Sequence, residues 1–326
     1  MQANHSNIFK TLFVIGNGFD LFHSMNTKYS DFKTYLLNHN DTLANEIPAN
    51  IDPVLSPNWS NFEEAIGFLD EGSLENLGRT SIEKLDSDDD YDSGTTDGMD
   101  YVLDQEYSYT RRLISALRKW IKSVPISTKR KYFRLNYTSF RFFTFNYTDT
   151  LESLYNVPES RIWHVHGRAS DVKSPLLLGS NNSKRISQIE KRKTETSELD
   201  AKSQAIFEAE EEYYENTNKD VLTNIQEHLD EFKLLENIST MIVLGFSFGA
   251  VDLPYIVAIA RHTSRLKKVI ISYKIDKSKT GWKKKFLKDK DQIVQSLLDK
   301  GIVLPSLEFI DIERTPRAIG QCVLSN

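Results

Sequence analysis

Apolar residues along the chain form short continuous runs, separated by longer stretches in which they recur every three or four positions. The runs lie at residues 12–15, 141–145, 161–165, 176–178, 241–244 and 268–272, with a weaker one at 307–310. Too short for buried helices, they predict strands covered on both faces, as in a parallel sheet. Helix-length segments lie between most of them. The pattern is therefore βαβ, and the expected fold class is α/β, a Rossmann-like, mostly parallel sheet flanked by helices. Within residues 59–69, Phe62, Ala65, Ile66 and Leu69 stand at i, i+3, i+4 and i+7, which predicts an amphipathic helix. Residues 107–123 predict another, with Leu113, Ile114, Leu117 and Trp120 as its stripe. Residues 183–235 hold neither glycine nor proline and are dense in charge, which favours long helices projecting from the sheet. The resulting organisation is a Rossmann-like domain of residues 1–182 and 238–326 with a charged helical insertion at 183–237. The acidic, Gly/Ser/Thr-rich stretch 86–98 reads as a loop.

Composition narrows the function classes. The 326-residue chain carries a formal charge of −5, which gives no overall pull toward nucleic acid. The lysines at 283–285 read as a solvated helix face. No run of 18 apolar residues occurs and the first ten residues are polar, so neither a membrane span nor a secretory signal is expected, and a cytoplasmic protein is. A single cysteine, Cys322, excludes an intrachain disulfide and a Cys-x-x-Cys metal site.

Candidate chemistry gathers where strands end. The first strand runs into Gly16, Asn17, Gly18 and Asp20. Two glycines there suit a tight strand-to-helix turn, and equally a phosphate cradle of bare amides. Leu21 occupies the place of the third glycine of G-x-G-x-x-G. Asn146 ends the strand "FRFFTF", at the sheet edge where open α/β folds bind ligands. It could also cap the helix that follows, although Thr148 and Asp149 are better spaced for that. In "RIWHVHGR", His164 and His166 are two apart and would share one side of a strand, with Gly167 turning the chain. A strand histidine is often structural, but His166 before a glycine turn on this edge points to function. Gly245, Ser247 and Gly249 follow another strand, and Asp252 starts a helix. Asp20 and Asp252 read equally as turn or cap residues and as ligand contacts. "GFSFG" matches the nucleophile elbow of α/β-hydrolases, but His262, expected within the next helix, is the one histidine downstream, so a hydrolase triad is rejected.

The segments "LFVIGNGFDLFHSMNTKYSDF", "NWSNFEEAIG", "FFTFNYTDTLESLY", "HVHGR" and "IVLGFSFGAVDLPY" resemble, in order, the bacteriophage abortive-infection AbiH family, which is similar to a distant branch of the sirtuin-like superfamily. The resemblance implies a six-stranded Rossmann-like sheet that binds NAD. By position it would set Gly16 and Gly18 at the pyrophosphate and Asn146 at the attacking water or the nicotinamide ribose. His166 would be the base, and Ser247 with Gly245 and Gly249 would hold the adenosine half; Asn17, Asp20, Gly167 and Asp252 count among the cofactor-binding residues without a more definite place. Two departures stand out. The four-cysteine zinc module of sirtuin deacetylases is impossible with one cysteine, and the aspartate after the asparagine comes at Asp149, three residues on rather than two.

The function so implied is an anti-phage abortive-infection effector that hydrolyses NAD to nicotinamide and ADP-ribose without a metal. Homo-oligomerisation and a phage-derived trigger or partner are expected with it. The competing reading is a module that binds NAD or ADP-ribose without cleaving it. A nuclease using Glu63 and Glu64 is a minor third, since no acidic set stands at metal-binding spacing.

Overall fold

A computed structural model describes residues 9–39, 41–50, 59, 61–67, 108–129, 139–195, 201–274 and 277–315. The acidic stretch 86–98, Leu69 and Cys322 lie outside the described residues. The chain divides into two compact units, one of residues 1–27, 121–176 and 221–326 and the other of 28–120 and 177–220.

The first unit is built on a six-stranded sheet: β1 (Thr11–Ile15), β2 (Phe140–Thr144), β3 (Ile162–His164), β4 (Thr240–Leu244), β5 (Lys268–Tyr273) and β6 (Ser306–Asp311). All pairings are parallel, in the order β3-β2-β1-β4-β5-β6. This is the doubly wound Rossmann order, whose switch point falls between β1 and β4. Alternation along each strand divides the core in two. Leu12, Val14, Phe143, Met241, Val243, Val269 and Ile271 face one side, where Tyr255, Ile256 and Ile259 of the helix Leu253–His262 cover them. Phe13, Ile15, Phe142, Ile242, Leu244 and Ile270 face the other, against Phe19 and against Leu151, Leu154 and Tyr155 of the helix Thr150–Tyr155. Burial on both faces is why these strands read as unbroken apolar runs.

The second unit is helical among its described residues, with helices at Tyr29–Asn38, Leu43–Asn50, Phe62–Ala65, Ser183–Glu195 and Ala201–Asn216. The helix Tyr109–Ser123 belongs to it as far as Trp120. An aromatic core forms here from Phe32, stacked on Trp120 at 5.0 Å, with Trp59 stacked on Phe62 at 4.9 Å. Arg192 pairs with Glu210 at 2.9 Å and Lys193 with Glu211 at 2.6 Å, joining the two helices drawn from the charge-dense segment.

Three expectations are corrected. Residues 176–178 form no strand: Leu176 and Leu178 are buried on an extended connector, with one isolated bridge just beyond, Ser180 to Asn218. The connector passes from one unit to the other at residues 176 and 177, so it never joins the sheet. The helix expected over 59–69 is regular only at Phe62–Ala65, although Phe62, Ala65 and Ile66 are buried on one face as expected. Trp59 precedes it with φ at 60°, a left-handed turn that stops the helix from starting earlier. Finally, β3 ends at His164, so His166 lies in the following turn and not on the strand.

Candidate functional site

The loops after β1, β2, β3 and β4 meet at the carboxyl edge of the sheet, within the first unit. The β1 and β4 loops are pressed together. A Cβ added to Gly16 would stand 2.6 Å from Phe246 Cα, one added to Gly18 2.6 Å from Gly245 Cα, and one added to Gly245 2.3 Å from Phe19 N. The amides of Gly16 and Gly18 donate to Leu244 O at 3.0 Å and Gly245 O at 2.8 Å. Both glycines therefore serve a close chain-to-chain turn, and their own amides are engaged by protein carbonyls. Asn17 is stitched down as well: its Nδ2 donates to Thr27 O at 2.7 Å and its Oδ1 accepts from Thr27 Oγ1 at 2.6 Å.

Asp20 points inward from this loop and is 1% exposed. It accepts from Thr148 Oγ1 at 2.6 Å and from Thr150 Oγ1 at 2.8 Å. Burial lifts its carboxyl from 3.8 to about 6, against the lowering effect of the Thr148, Thr150 and Asn146 side chains, with Glu152 adding a small push upward. The segment after β2 thus contributes two hydroxyls to one buried carboxylate. Asn146 itself is buried, its backbone N donates to Thr144 Oγ1 at 3.2 Å, and its side-chain Oδ1 has no hydrogen-bond partner among the described residues. Capping is not its task, because the helix begins at Thr150 with Asp149 at the cap position.

The two histidines part company because the strand ends between them. His164 turns toward the helix Thr150–Tyr155, with Nε2 2.7 Å from Glu152 Oε1 and Nδ1 3.3 Å from the backbone O of Asn146. His166 turns to the opposite side, among the rings of Phe145 at 5.0 Å, Tyr255 at 5.9 Å and Tyr147 at 6.2 Å. Its Nε2 stands 3.1 Å from Asp252 Oδ1, within ion-pair reach but not aligned as a hydrogen bond. Gly167 makes the turn possible: at φ 82°, a Cβ would fall 2.0 Å from Pro175 O.

Ser247 and Gly249 are exposed on the β4 loop, and what reaches His166 from that loop is Asp252, at the N-terminus of the helix Leu253–His262. Gly249 O accepts the amides of Asp252 at 3.0 Å and Leu253 at 3.1 Å, which sets the helix start and with it the Asp252 side chain. The positive φ angles in "GFSFG" fall at Gly245 and Phe248 and not at the serine, unlike a nucleophile elbow. His262 Nδ1 donates to Ala258 O within its own helix at 2.8 Å, and the ring packs on Phe232.

Sequence reasoning passed over Thr148, Thr150, Glu152 and Arg168. Arg168 pairs with Asp149 and stands 3.8 Å from Glu152, tying the turn after β3 to the start of the neighbouring helix. The available signal was Arg168 directly after "HVHG". Nothing in spacing alone marks threonines as partners of a carboxylate more than a hundred residues away.

The model of the family described as "Bacteriophage abortive infection AbiH" matches residues 12–273, most of the chain. The chain belongs to the AbiH family. No curated protein and no solved structure matches it. Membership links this AbiH chain to abortive infection by bacteriophage, and the matched segment spans every site loop described above. Among the described residues of AbiH, no group of three or more His, Cys, Asp or Glu could hold a metal ion, and no helix is long and apolar enough to cross a membrane.

Proposed function

We propose that the chain is an abortive-infection effector that hydrolyses NAD to nicotinamide and ADP-ribose at the carboxyl edge of its sheet. The observation that carries this reading is the carboxamide oxygen of Asn146, buried at the carboxyl end of β2 in a Rossmann-ordered sheet with no partner among the described residues. Such an orphaned acceptor costs stability unless a ligand or water completes it. NAD is proposed as that ligand from the resemblance of the site motifs to the sirtuin-like superfamily.

The residues suit the chemistry. NAD supplies, when bound, a glycosidic bond whose cleavage releases neutral nicotinamide, so little acid assistance is needed. What the chain must provide is an oriented hydroxyl or water, a proton acceptor and exclusion of bulk water. Asn146 Oδ1 would accept a hydrogen bond from that donor group. His166 would take the proton of the attacking water, a contribution typically worth roughly a hundredfold or more. Asp252 Oδ1 lies 3.1 Å from the Nε2 edge of the imidazole, which would leave Nδ1 to receive the proton. Phe145, Tyr147 and Tyr255 wall the ring off from solvent. The occupied amides of Gly16 and Gly18 mean that a pyrophosphate would draw on other donors. An enzyme that destroys NAD must be held in check, so assembly of copies or a phage-derived trigger belongs to the same reading.

The test is incubation of the purified protein with NAD and chromatographic measurement of nicotinamide and ADP-ribose, with Asn146→Ala and His166→Ala alongside. Equimolar products from the parent, and at least about a hundredfold less from each variant, are expected. NAD that is bound in calorimetry but stays intact with the trigger present would instead make the protein a sensor. Neither binding nor cleavage would overturn the reading.

A further inference from the structure

Residues 274–285 hold six lysines, one aspartate and no arginine, in a chain whose formal charge is −5. On its helix alone, the lysine run at 283–285 is a solvated face. The fold adds Lys274, Lys277 and Lys279 to it: β5 ends at Tyr273 and the helix Trp282–Leu298 follows, so the connection gathers all six at the carboxyl edge of the sheet. Each of the six is exposed. Lys277 pairs with Asp311 and Lys285 with Asp289, both at 2.8 Å, and these two side chains remain at least half exposed. Lys274 and Lys284 meet no carboxylate among the described residues. We propose that this cluster is a docking surface for nucleic acid, held through its phosphates and without regard to base sequence. Because β4 and β5 are neighbours, the cluster shares its sheet edge with the candidate site, one strand beyond the 245–249 loop. The proposal stands independently of the NAD reading.

Charge and composition choose the occupant. Like charges crowded on so short a stretch repel one another, and a polyanion relieves that repulsion while releasing its own counter-ions. Lysine presents a point charge on a flexible stem, whereas recognition of base edges favours the planar fork of arginine. A cluster made of lysine alone therefore suits phosphates, which position a nucleic acid without reading it. An acidic protein would need apolar anchors at the centre of the contact. Phe286, the large apolar residue next to the lysine run, is spent inward on Tyr273 at 5.4 Å and Phe309 at 6.4 Å. A lipid surface would need exposed apolar side chains among the lysines. Leu287 is exposed there, but Leu298 and Val303 are exposed at the other end of the helix, roughly 20 Å away along its axis. A single leucine anchors neither a protein core nor a bilayer.

The experiment uses the full chain, without NAD, and a fluorescently labelled mixed-sequence DNA strand of about 20 nucleotides, with binding read by anisotropy from about 50 to 200 mM salt. The affinity should fall with salt with a log–log slope of about −2 to −4, as expected when three to six phosphates are neutralised. Lys274→Ala, Lys283→Ala and Lys284→Ala combined should weaken binding at least roughly tenfold and flatten the slope by about 2. Lys122→Ala, Lys173→Ala and Lys184→Ala combined remove the same charge from exposed positions elsewhere and should leave binding within about twofold. A strand of unrelated sequence should bind within about threefold of the first. No binding at the lowest salt, equal losses in the two triple variants, or binding to phosphatidylserine vesicles or polyglutamate but not to the DNA strand would each overturn the proposal.

Discussion

Each unit buries a charged group, and the two are treated in opposite ways. In the helical unit Lys219 is fully buried, but its Nζ meets Glu63 Oε2 at 2.7 Å, and the other oxygen of Glu63 accepts from Tyr29. In the sheet unit Asp20 is as deeply buried, and among the described residues it is met by two neutral hydroxyls, those of Thr148 and Thr150, and by no cation. Pairing with a counter-charge closes a polar network and leaves nothing to bind. A carboxylate held by two hydroxyls keeps its raised pKa, and on the same loop the buried Asn146 Oδ1 is left without a partner among the described residues. The first arrangement serves the integrity of the fold; the second leaves polar capacity for a ligand.

The comparison can be broken most severely at the paired charge. Glu63→Gln would remove the carboxylate that pairs with the buried Lys219 ammonium, and a loss of about 3–5 kcal/mol is expected, measured by urea unfolding. Substitution at the ligand side should do the opposite. His166→Gln, which keeps most of the buried volume, should lower NAD turnover roughly a hundredfold while shifting the unfolding midpoint far less than Glu63→Gln, since the ring makes no aligned hydrogen bond to Asp252. Steady-state kinetics and a thermal melt on the same preparation separate the two effects.

A third effect sharpens the contrast through pH. The Asp20 carboxyl is raised from 3.8 to about 6 in the folded protein, so the fold binds this proton more tightly than the unfolded chain does. Its stabilising contribution is fully present below pH 3.8 and is lost as pH rises through about 6. Relative to Asp20→Asn, the parent should therefore gain about 1 kcal/mol of unfolding free energy between pH 7 and pH 5, read from paired urea titrations. Smallest of all is the loop stitch. Asn17→Ala removes two partly exposed hydrogen bonds to Thr27, and a loss of about 0.5–1 kcal/mol is expected in the same assay.

Much of the frame was legible along the chain. Unbroken apolar runs marked β1, β2, β4 and β5 because strands buried on both faces show no alternation. Asn146 and His166 could be singled out because each directly follows such a run. The His164 and His166 pair was misread for a local reason: two-residue periodicity holds only while the strand lasts, and β3 stops at His164. Gly16 and Gly18 allowed two meanings until the β4 loop was seen against them, since a glycine declares close approach without naming what approaches.

The chain on its own settled the α/β class, the parallel sheet and the AbiH membership, because these rest on periodicity and on motifs that are local in sequence. It also placed the site loops at strand ends. Tertiary structure alone decided that residues 28–120 and 177–220 form one compact unit, that Asp20 meets Thr148 and Thr150, and that Asp252 is the group beside His166. Those partners lie from about a hundred to well over a hundred residues apart or across a crossover, and the strand order that brings them together is set by burial of two sheet faces, which no local pattern records.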